Sequence, residues 1–199
     1  MARVGIFGGT FNPPHVGHLV CAQEALIGLG LERVLLMPVH APPHKVLTDD
    51  PGPEQRAAMC EAAVAGDPRL GVSRAELERG GPSYTVDTLR TVHERTPGDE
   101  LTWIMGGDMA HAFPAWREPD AILGMARLGI AEREELRRDA IERALGVLPG
   151  AAERVAFFDM PRIDVSSSLL RRRVAAGRPI RYLVPEAVRE HIDREALYQ

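Results

Sequence analysis

Lysine is nearly missing from this chain. Of 24 basic side chains, Lys45 is the one lysine and the rest are arginine. That bias suggests a GC-rich genome and makes Lys45 conspicuous. Cysteine is scarce too: Cys21 and Cys60 are the only two. They lie far apart in helix-like patterns, which argues against a disulfide framework and fits buried, reduced thiols in a reducing cytoplasm. No stretch is long and apolar enough to span a bilayer. No leader is expected, because Met1-Ala2-Arg3-Val4-Gly5 runs directly into a strand pattern. Positive charge is not in excess either. A formal net charge of −4 argues against a general nucleic-acid binder. Internal repeats and interdomain linkers are missing as well.

What is present reads as one α/β domain over residues 1–199 with a sizeable core. A hydrophobic content of 45% and a charged content of 26% are ordinary for a soluble globular chain. Strand patterns fall at Arg3–Phe7, Arg33–Pro38, Arg69–Ser73, Leu101–Met105, Arg127–Ala131 and Arg154–Phe158. Helical patterns fall at His18–Leu29, Glu54–Ala65, Thr85–Arg95, Glu134–Leu145, Ser167–Ala176 and Glu186–Asp193. Alternation of this kind predicts a Rossmann-like, doubly wound parallel sheet with a helical C-terminal segment. Ligands of such sheets bind beyond the carboxyl ends of the strands. The turns after Phe7, after Pro38 and at Gly106-Gly107-Asp108 should therefore converge. Leu47 to Pro53 is rich in turn residues and reads as a mobile loop. The Glu134–Leu145 pattern carries alternating charges and reads as a solvated face.

The most informative segment is Gly8-Gly9-Thr10-Phe11-Asn12-Pro13-Pro14-His15-Val16-Gly17-His18. A strand leads in, and a helix leads out that stops at Gly30, a helix-cap residue. A Gly-rich turn before a helix start offers backbone N–H groups and partial positive charge to an anion. His15 and His18 add donors beside it. The dinucleotide fingerprint G-x-G-x-x-G is not met. His15, His18, His40 and His44 are close in sequence, but no zinc-ligand spacing is present. A second constellation, Val165-Ser166-Ser167-Ser168-Leu169-Leu170-Arg171, places three serines before a helical run. They can cap that helix and offer hydroxyls and N–H groups to an anion. Of Arg172 and Arg173, at least one is expected on the solvated face.

The first segment resembles the nucleotidyltransferase signature G-T-F-[DN]-P-x-H-x-G-H. The second resembles that superfamily's I-S-S-T-x-[IL]-R, with Val165 for Ile and Ser168 for Thr. Three more matches resemble the bacterial nicotinate mononucleotide adenylyltransferase family: Pro42-Pro43-His44-Lys45, Pro82-Ser83-Tyr84-Thr85, and Phe113-Pro114-Ala115-Trp116 after Gly106-Gly107-Asp108. Together they span nearly the whole chain. Two stretches depart from the pattern. Ala131-Glu132-Arg133-Glu134 keeps one Arg where that family often has Arg-Arg-Pro-Gly, and Val39 and His40 stand where relatives often carry polar residues.

The resemblance implies transfer of AMP from ATP to nicotinate mononucleotide, with Mg²⁺ held mainly by the ATP phosphates. No resident metal site on the protein is implied. It casts His15, His18 and Arg171 as catalytic. Gly8, Gly9, Thr10, Gly106, Asp108, Ser167 and Ser168 join them in binding ATP, with Asp108 accepting from ribose hydroxyls. Asn12, His44, Lys45, Ser83, Tyr84, Thr85 and Trp116 are implied for the mononucleotide, Lys45 at its phosphate and Trp116 against its ring. Read from the residues alone, Lys45 can equally be a solvated loop lysine, Tyr84 and Trp116 core aromatics, and Asp108 a turn cap. Two other functions fit the signatures: another adenylyl- or cytidylyltransferase, for example one acting on phosphopantetheine, and a non-catalytic nucleotide sensor. Neither a nucleic-acid nor a membrane partner is expected, and the oligomeric state, a homo-oligomer included, is left open.

Overall fold

A computed structural model describes residues 1–43, 46–132 and 137–199. Six strands form one all-parallel sheet: β1 (Arg3–Gly9), β2 (Arg33–Pro38), β3 (Leu70–Val72), β4 (Glu100–Gly106), β5 (Ala126–Glu132) and β6 (Val155–Asp159). Their spatial order is β3-β2-β1-β4-β5-β6. This is the doubly wound order, in which the winding direction reverses between β1 and β4. Ten α-helices stand among the described residues. They are α1 (Val16–Gly28), α2 (Pro53–Val64), α3 (Ala75–Arg79), α4 (Thr85–Arg95), α5 (Gly107–Ala112) and α6 (Pro119–Met125), then α7 (Arg138–Leu145), α8 (Ala151–Arg154), α9 (Ser167–Ala175) and α10 (Glu186–Arg194).

The strands are apolar on both faces, as a sheet covered on both sides requires. Side chains alternate along each strand, and the core divides accordingly. Val4, Ile6, Trp103, Met105, Leu128 and Ile130 pack on one face with α4 to α8. Val34, Leu36, Ile104 and Ala131 pack on the other with Cys21, Ala22 and Leu26 of α1 and Cys60 of α2. A third apolar cluster joins Met59 of α2, Leu170 of α9, and Val188 and Ile192 of α10. It fastens the C-terminal segment to the back of the sheet's helices.

The six expected strands and six expected helices are all present, but several boundaries move. β1 runs two residues past Phe7, so Gly8 and Gly9 belong to the strand, opposite Met37 and Pro38. The turn begins at Thr10. Gly8 is small for a packing reason: a Cβ there would lie 2.5 Å from the Trp103 indole. α1 starts at Val16 because His15 takes the N-cap position. It ends ahead of Gly30, whose φ of +60° fits the cap expected there. α3, α5, α6 and α8 are short helices that no periodic pattern announced. Of the Glu134–Leu145 pattern, the described part is helical from Arg138, and Glu134 lies outside the described residues. Both cysteines are buried and unpaired, and burial pushes the Cys60 thiol up, which keeps it protonated. Among the described residues, no helix is long and apolar enough to cross a membrane.

Candidate active site

The sheet splits where its winding reverses. β1 pairs with β4 only as far as Phe7–Ile104, yet continues beside β2 to Gly9–Pro38. β4 meanwhile continues beside β5 to Gly106–Ala131. Beyond Phe7 the two halves diverge, and two cavities of about 530 and 520 Å³ open there. They share a wall made of Thr10, Phe11, His18 and Asp108.

The second cavity is lined by parts of both signatures, whereas Gly8, Gly9 and Gly106, expected with them at ATP, line the first cavity. His15 and His18 stand in the first turn of α1, with ring centroids 3.8 Å apart. The His15 N–H donates to His18 Nδ1 at 3.2 Å. With Nδ1 accepting, the neutral His18 ring carries its proton on Nε2, which makes that nitrogen a donor. Phe11, buried at φ +50°, sets its ring edge-on to His18 at 5.0 Å. Opposite, Ser166 caps α9 by accepting the Leu169 N–H at 3.2 Å. Ser167 Oγ donates to the Pro13 carbonyl at 2.8 Å, and Arg171 Nη1 donates to the Asn12 carbonyl at 2.9 Å. Arg171 Nη2 also reaches Ser168 Oγ at 3.5 Å, and its Nε lies 3.7 Å from the Asp49 carboxylate. The N-termini of α1 and α9 thus meet over one cavity. Each presents N–H groups that lack an intrahelical acceptor. Arg172 is exposed, and Arg173 donates to the Pro179 carbonyl.

The first cavity is walled by apolar and aromatic side chains, among them Trp103 and Trp116. Trp116 packs 5.3 Å from Phe113, and the Arg117 guanidinium lies 4.8 Å over the Tyr84 ring. Both aromatics therefore pack against the core and line the cavity. Tyr84 is the N-cap of α4. Ser83 lines the first cavity too; its N–H donates to the Ala41 carbonyl at 2.8 Å, and its Oγ accepts the His40 N–H at 3.0 Å. The donors that this helix start can offer come from its first turn, beginning at Thr85. Gly106 is the N-cap of α5, and Asp108 sits in that helix's first turn, exposed where the two cavities join.

Several expectations are adjusted. Asn12 lines the second cavity rather than the first. Its side chain is 3% exposed, with Nδ2 3.4 Å from the carbonyls of Thr48 and Asp49, and Oδ1 accepting the Tyr198 hydroxyl at 2.7 Å. It braces the loop. These contacts link Asn12 to Thr48 and Asp49 of the turn-rich stretch Leu47 to Pro53. His44, Lys45 and Arg133 lie outside the described residues. The departure at Glu132 is filled by an ion pair: Arg138 donates to its carboxylate at 2.8 Å and holds it below the usual carboxylate range.

Three residues at or behind the cavities escaped sequence reasoning. Arg56 is fully buried. It donates to the carbonyls of Thr10 at 3.1 Å, Val39 at 2.7 Å and His40 at 3.3 Å, and pairs with Asp50 at 2.9 Å. One guanidinium therefore fixes the first signature and both ends of the loop that carries Lys45. Glu76, 2% exposed, lines the first cavity. Its Oε1 accepts from Thr88 Oγ1 at 2.6 Å, and its Oε2 has no hydrogen-bond partner among the described residues. Tyr198 is the third. The periodic patterns cannot find these residues, because their partners lie in distant segments. Among the described residues, no three His, Cys, Asp or Glu side chains converge as a metal site would need. Asp108 is the carboxylate at the junction of the cavities. Its carboxylate oxygens are of the kind that a hard divalent ion takes.

The sequence model of the cytidylyltransferase-like family matches residues 6–173. The chain is 41% identical over 199 residues to a "probable nicotinate-nucleotide adenylyltransferase" of Thermomicrobium roseum, covering 100% of this chain and 92% of that one. It is 40% identical over 198 residues to a protein of the same name from Geobacillus thermodenitrificans, covering 100% and 87%. In structure it is similar to Plasmodium falciparum nicotinic acid mononucleotide adenylyltransferase. The match to that protein complexed with NaAD has a TM-score of 0.76 at 19% identity, covering 100% of this chain and 98% of the other. The match to its complex with APC has a TM-score of 0.78 at 17% identity, with the same coverage. At such identities the likeness shows a shared fold.

Proposed function

Because this chain belongs to the cytidylyltransferase-like family, and within it to the nicotinate-nucleotide adenylyltransferases, we propose the following reaction. It joins ATP and nicotinate mononucleotide into deamido-NAD and releases pyrophosphate. The observation that carries this reading is the pair of cavities meeting at Thr10, Phe11, His18 and Asp108. Two nucleotides seated one on each side would bring a phosphate of each to that shared wall.

An oxygen of the acceptor's 5′-phosphate attacks the α-phosphorus of ATP, and the bond from that phosphorus to the bridging α–β oxygen breaks. The acceptor phosphate is already ionised near neutral pH, so no general base is assigned. Transfer of this kind needs alignment and relief of negative charge more than covalent chemistry. His18 Nε2–H donates to the phosphate where charge builds up. His15 and the first turn of α1 supply further positive potential. Ser167, Ser168 and Arg171 hold the leaving pyrophosphate from the α9 side. Asp108 accepts from ribose hydroxyls at the junction. Mg²⁺, when bound with ATP, neutralises phosphate oxygens. On the acceptor side Trp116 holds the pyridine ring flat, and Lys45 and His44 take the 5′-phosphate.

The first turn of α4, at Tyr84 and Thr85, points donors and helix polarity at the ring carboxylate. An amide would turn an NH₂ donor toward those same donors, so the acid should be preferred. The test is pyrophosphate release with Mg²⁺–ATP and a panel of acceptors, reading kcat/KM for the acid and amide mononucleotides. Turnover of the acid well above the amide supports the assignment. Comparable values, or turnover of phosphopantetheine instead, overturn it.

A further inference from the structure

We propose that Tyr198 is a positioning residue for the ATP cavity, acting through the Asn12 amide. The inference rests on the adenylyltransferase reading for what the cavity holds. Tyr198 lies 186 residues from Asn12 in sequence, yet its hydroxyl donates to Asn12 Oδ1 at 2.7 Å. The two carbonyls of Thr48 and Asp49, which can only accept, set which way the amide faces, and the Tyr198 hydroxyl anchors its oxygen in that orientation. With Oδ1 occupied by a donor, Nδ2 is turned toward the carbonyls of Thr48 and Asp49, 3.4 Å away. Turned the other way, Nδ2 would face a hydroxyl and Oδ1 would face two carbonyls. The loop at 48–49 would then lose its tie.

The consequence reaches the cavity directly. Leu47, Thr48 and Asn12 line the ATP-side cavity together with Ser167, Ser168 and Arg171. Asp49, whose carbonyl the amide holds, also lies 3.7 Å from Arg171 Nε. The Asn12 carbonyl accepts from Arg171 Nη1 at 2.9 Å. Asn12 is thus a hub between loop 47–50 and the second signature, and the Tyr198 hydroxyl is what anchors the hub.

The fold is arranged to deliver this hydroxyl. Tyr198 packs against the third apolar cluster, beside Leu197. The chain after α10 reverses through left-handed backbone at Ala196 (φ +50°) and Tyr198 (φ +64°), a conformation non-glycine residues adopt only when their surroundings fix it. Tyr198 Oη also approaches the Met59 sulfur at 3.9 Å. Burial pushes the phenol pKa up, which keeps the hydroxyl a donor throughout the working range.

The test compares wild type with Tyr198→Phe, Asn12→Ala and the double variant. The first measurement is binding of a non-hydrolysable ATP analogue with Mg²⁺. Tyr198→Phe keeps the ring and should weaken binding about three- to tenfold, the range expected for one buried hydrogen bond. KM for ATP should rise by the same factor, while KM for the mononucleotide stays within about twofold. In the Asn12→Ala background the Tyr198→Phe change should have no further effect. An unchanged analogue Kd, a proportional rise in both KM values, or an equal effect of Tyr198→Phe with and without Asn12 overturns the inference. If Tyr198→Phe does not fold, Asn12→Ala alone must weaken the analogue to the same extent, and unaltered binding there sinks the idea. The analogue titration needs no acceptor. A wrong acceptor assignment would therefore show as missing turnover in the wild type, separately from any effect at Tyr198.

Discussion

At the scale of single residues, the site is a set of donors whose orientation is fixed before any ligand arrives. His18 illustrates it. Its Nδ1 is occupied by the His15 N–H at 3.2 Å, so its ring cannot rotate without giving up that bond, and Nε2–H stays the outward donor. We expect His18→Ala to lower kcat by about two to four orders of magnitude, as for loss of a group that stabilises transition-state charge, with little change in mononucleotide affinity. Steady-state kinetics with both substrates varied check this, and a near-native kcat removes the role. His15, His18, Ser167 and Arg171 could be picked from the sequence as candidates because each sits in a short, ordered string of fixed residues, and the structure brings all four to one cavity. Arg56 could not. In sequence it is an arginine near a helix start, where most arginines are solvated. Its value comes from three carbonyls, of Thr10, Val39 and His40, that only the folded sheet brings together. Ser83, expected as a ligand donor beside Tyr84 and Thr85, lines the first cavity and also braces the segment after β2, where its N–H donates to the Ala41 carbonyl and its hydroxyl accepts the His40 N–H.

At the scale of elements, alternation of strand and helix was enough to predict a doubly wound parallel sheet, whose central strands β1, β2, β4 and β5 carry buried residues on both faces. Boundaries near the site were harder. Gly8 and Gly9 look like a turn by composition, yet they extend β1 beside Met37 and Pro38, with the Trp103 ring filling the space beside Gly8 and the Phe11 ring that beside Gly9. α10 was legible as a helix, but its docking was not. It holds to α2 through His191, which is 8% exposed and sits between Gln55 Oε1 at 2.7 Å and Arg194 Nη2 at 2.9 Å. Arg194 can only donate, so Nδ1 accepts and Nε2–H donates to Gln55. Such a ring must be neutral. Burial, with Arg194 adding to it, moves its pKa below the ordinary 6.5. The folded state therefore binds the proton less well than the unfolded state. The stabilisation is complete above pH 6.5 and is lost progressively as pH falls from 6.5 through the lower folded-state pKa. We expect urea midpoints to fall over that window and the fall to flatten in His191→Gln. An equal slope in wild type and variant counts against the assignment.

At the scale of the whole molecule, the cavity proposed for ATP joins two stretches at opposite ends of the sequence. One wall is Thr10 to His18, at the carboxyl end of the first strand. The other is Ser166 to Arg171, more than 150 residues later. The stretch beyond α9 closes the arrangement, since the Leu183 carbonyl accepts the Val16 N–H at 3.1 Å and Tyr198 reaches Asn12. A ligand that binds between these walls binds only when both are docked, so its binding energy belongs to the folded state of the entire chain. We propose that residues 1–199 unfold as one unit, and linkage makes the idea measurable. A ligand at a hundredfold excess over its Kd adds about 2.7 kcal/mol of stability. For a chain of this size each kcal/mol moves the midpoint by about 2–4 °C. A non-hydrolysable ATP analogue with Mg²⁺ should therefore raise Tm by about 5–10 °C. Far-ultraviolet circular dichroism and tryptophan fluorescence should move together, because Trp103 lies in the sheet core while α9 and α10 contribute helix signal. Two separable transitions, with only one of them raised by the analogue, would mean that the segment from α9 onward melts on its own. The signature at Thr10 to His18 would then bind phosphate without the partner that the folded structure gives it.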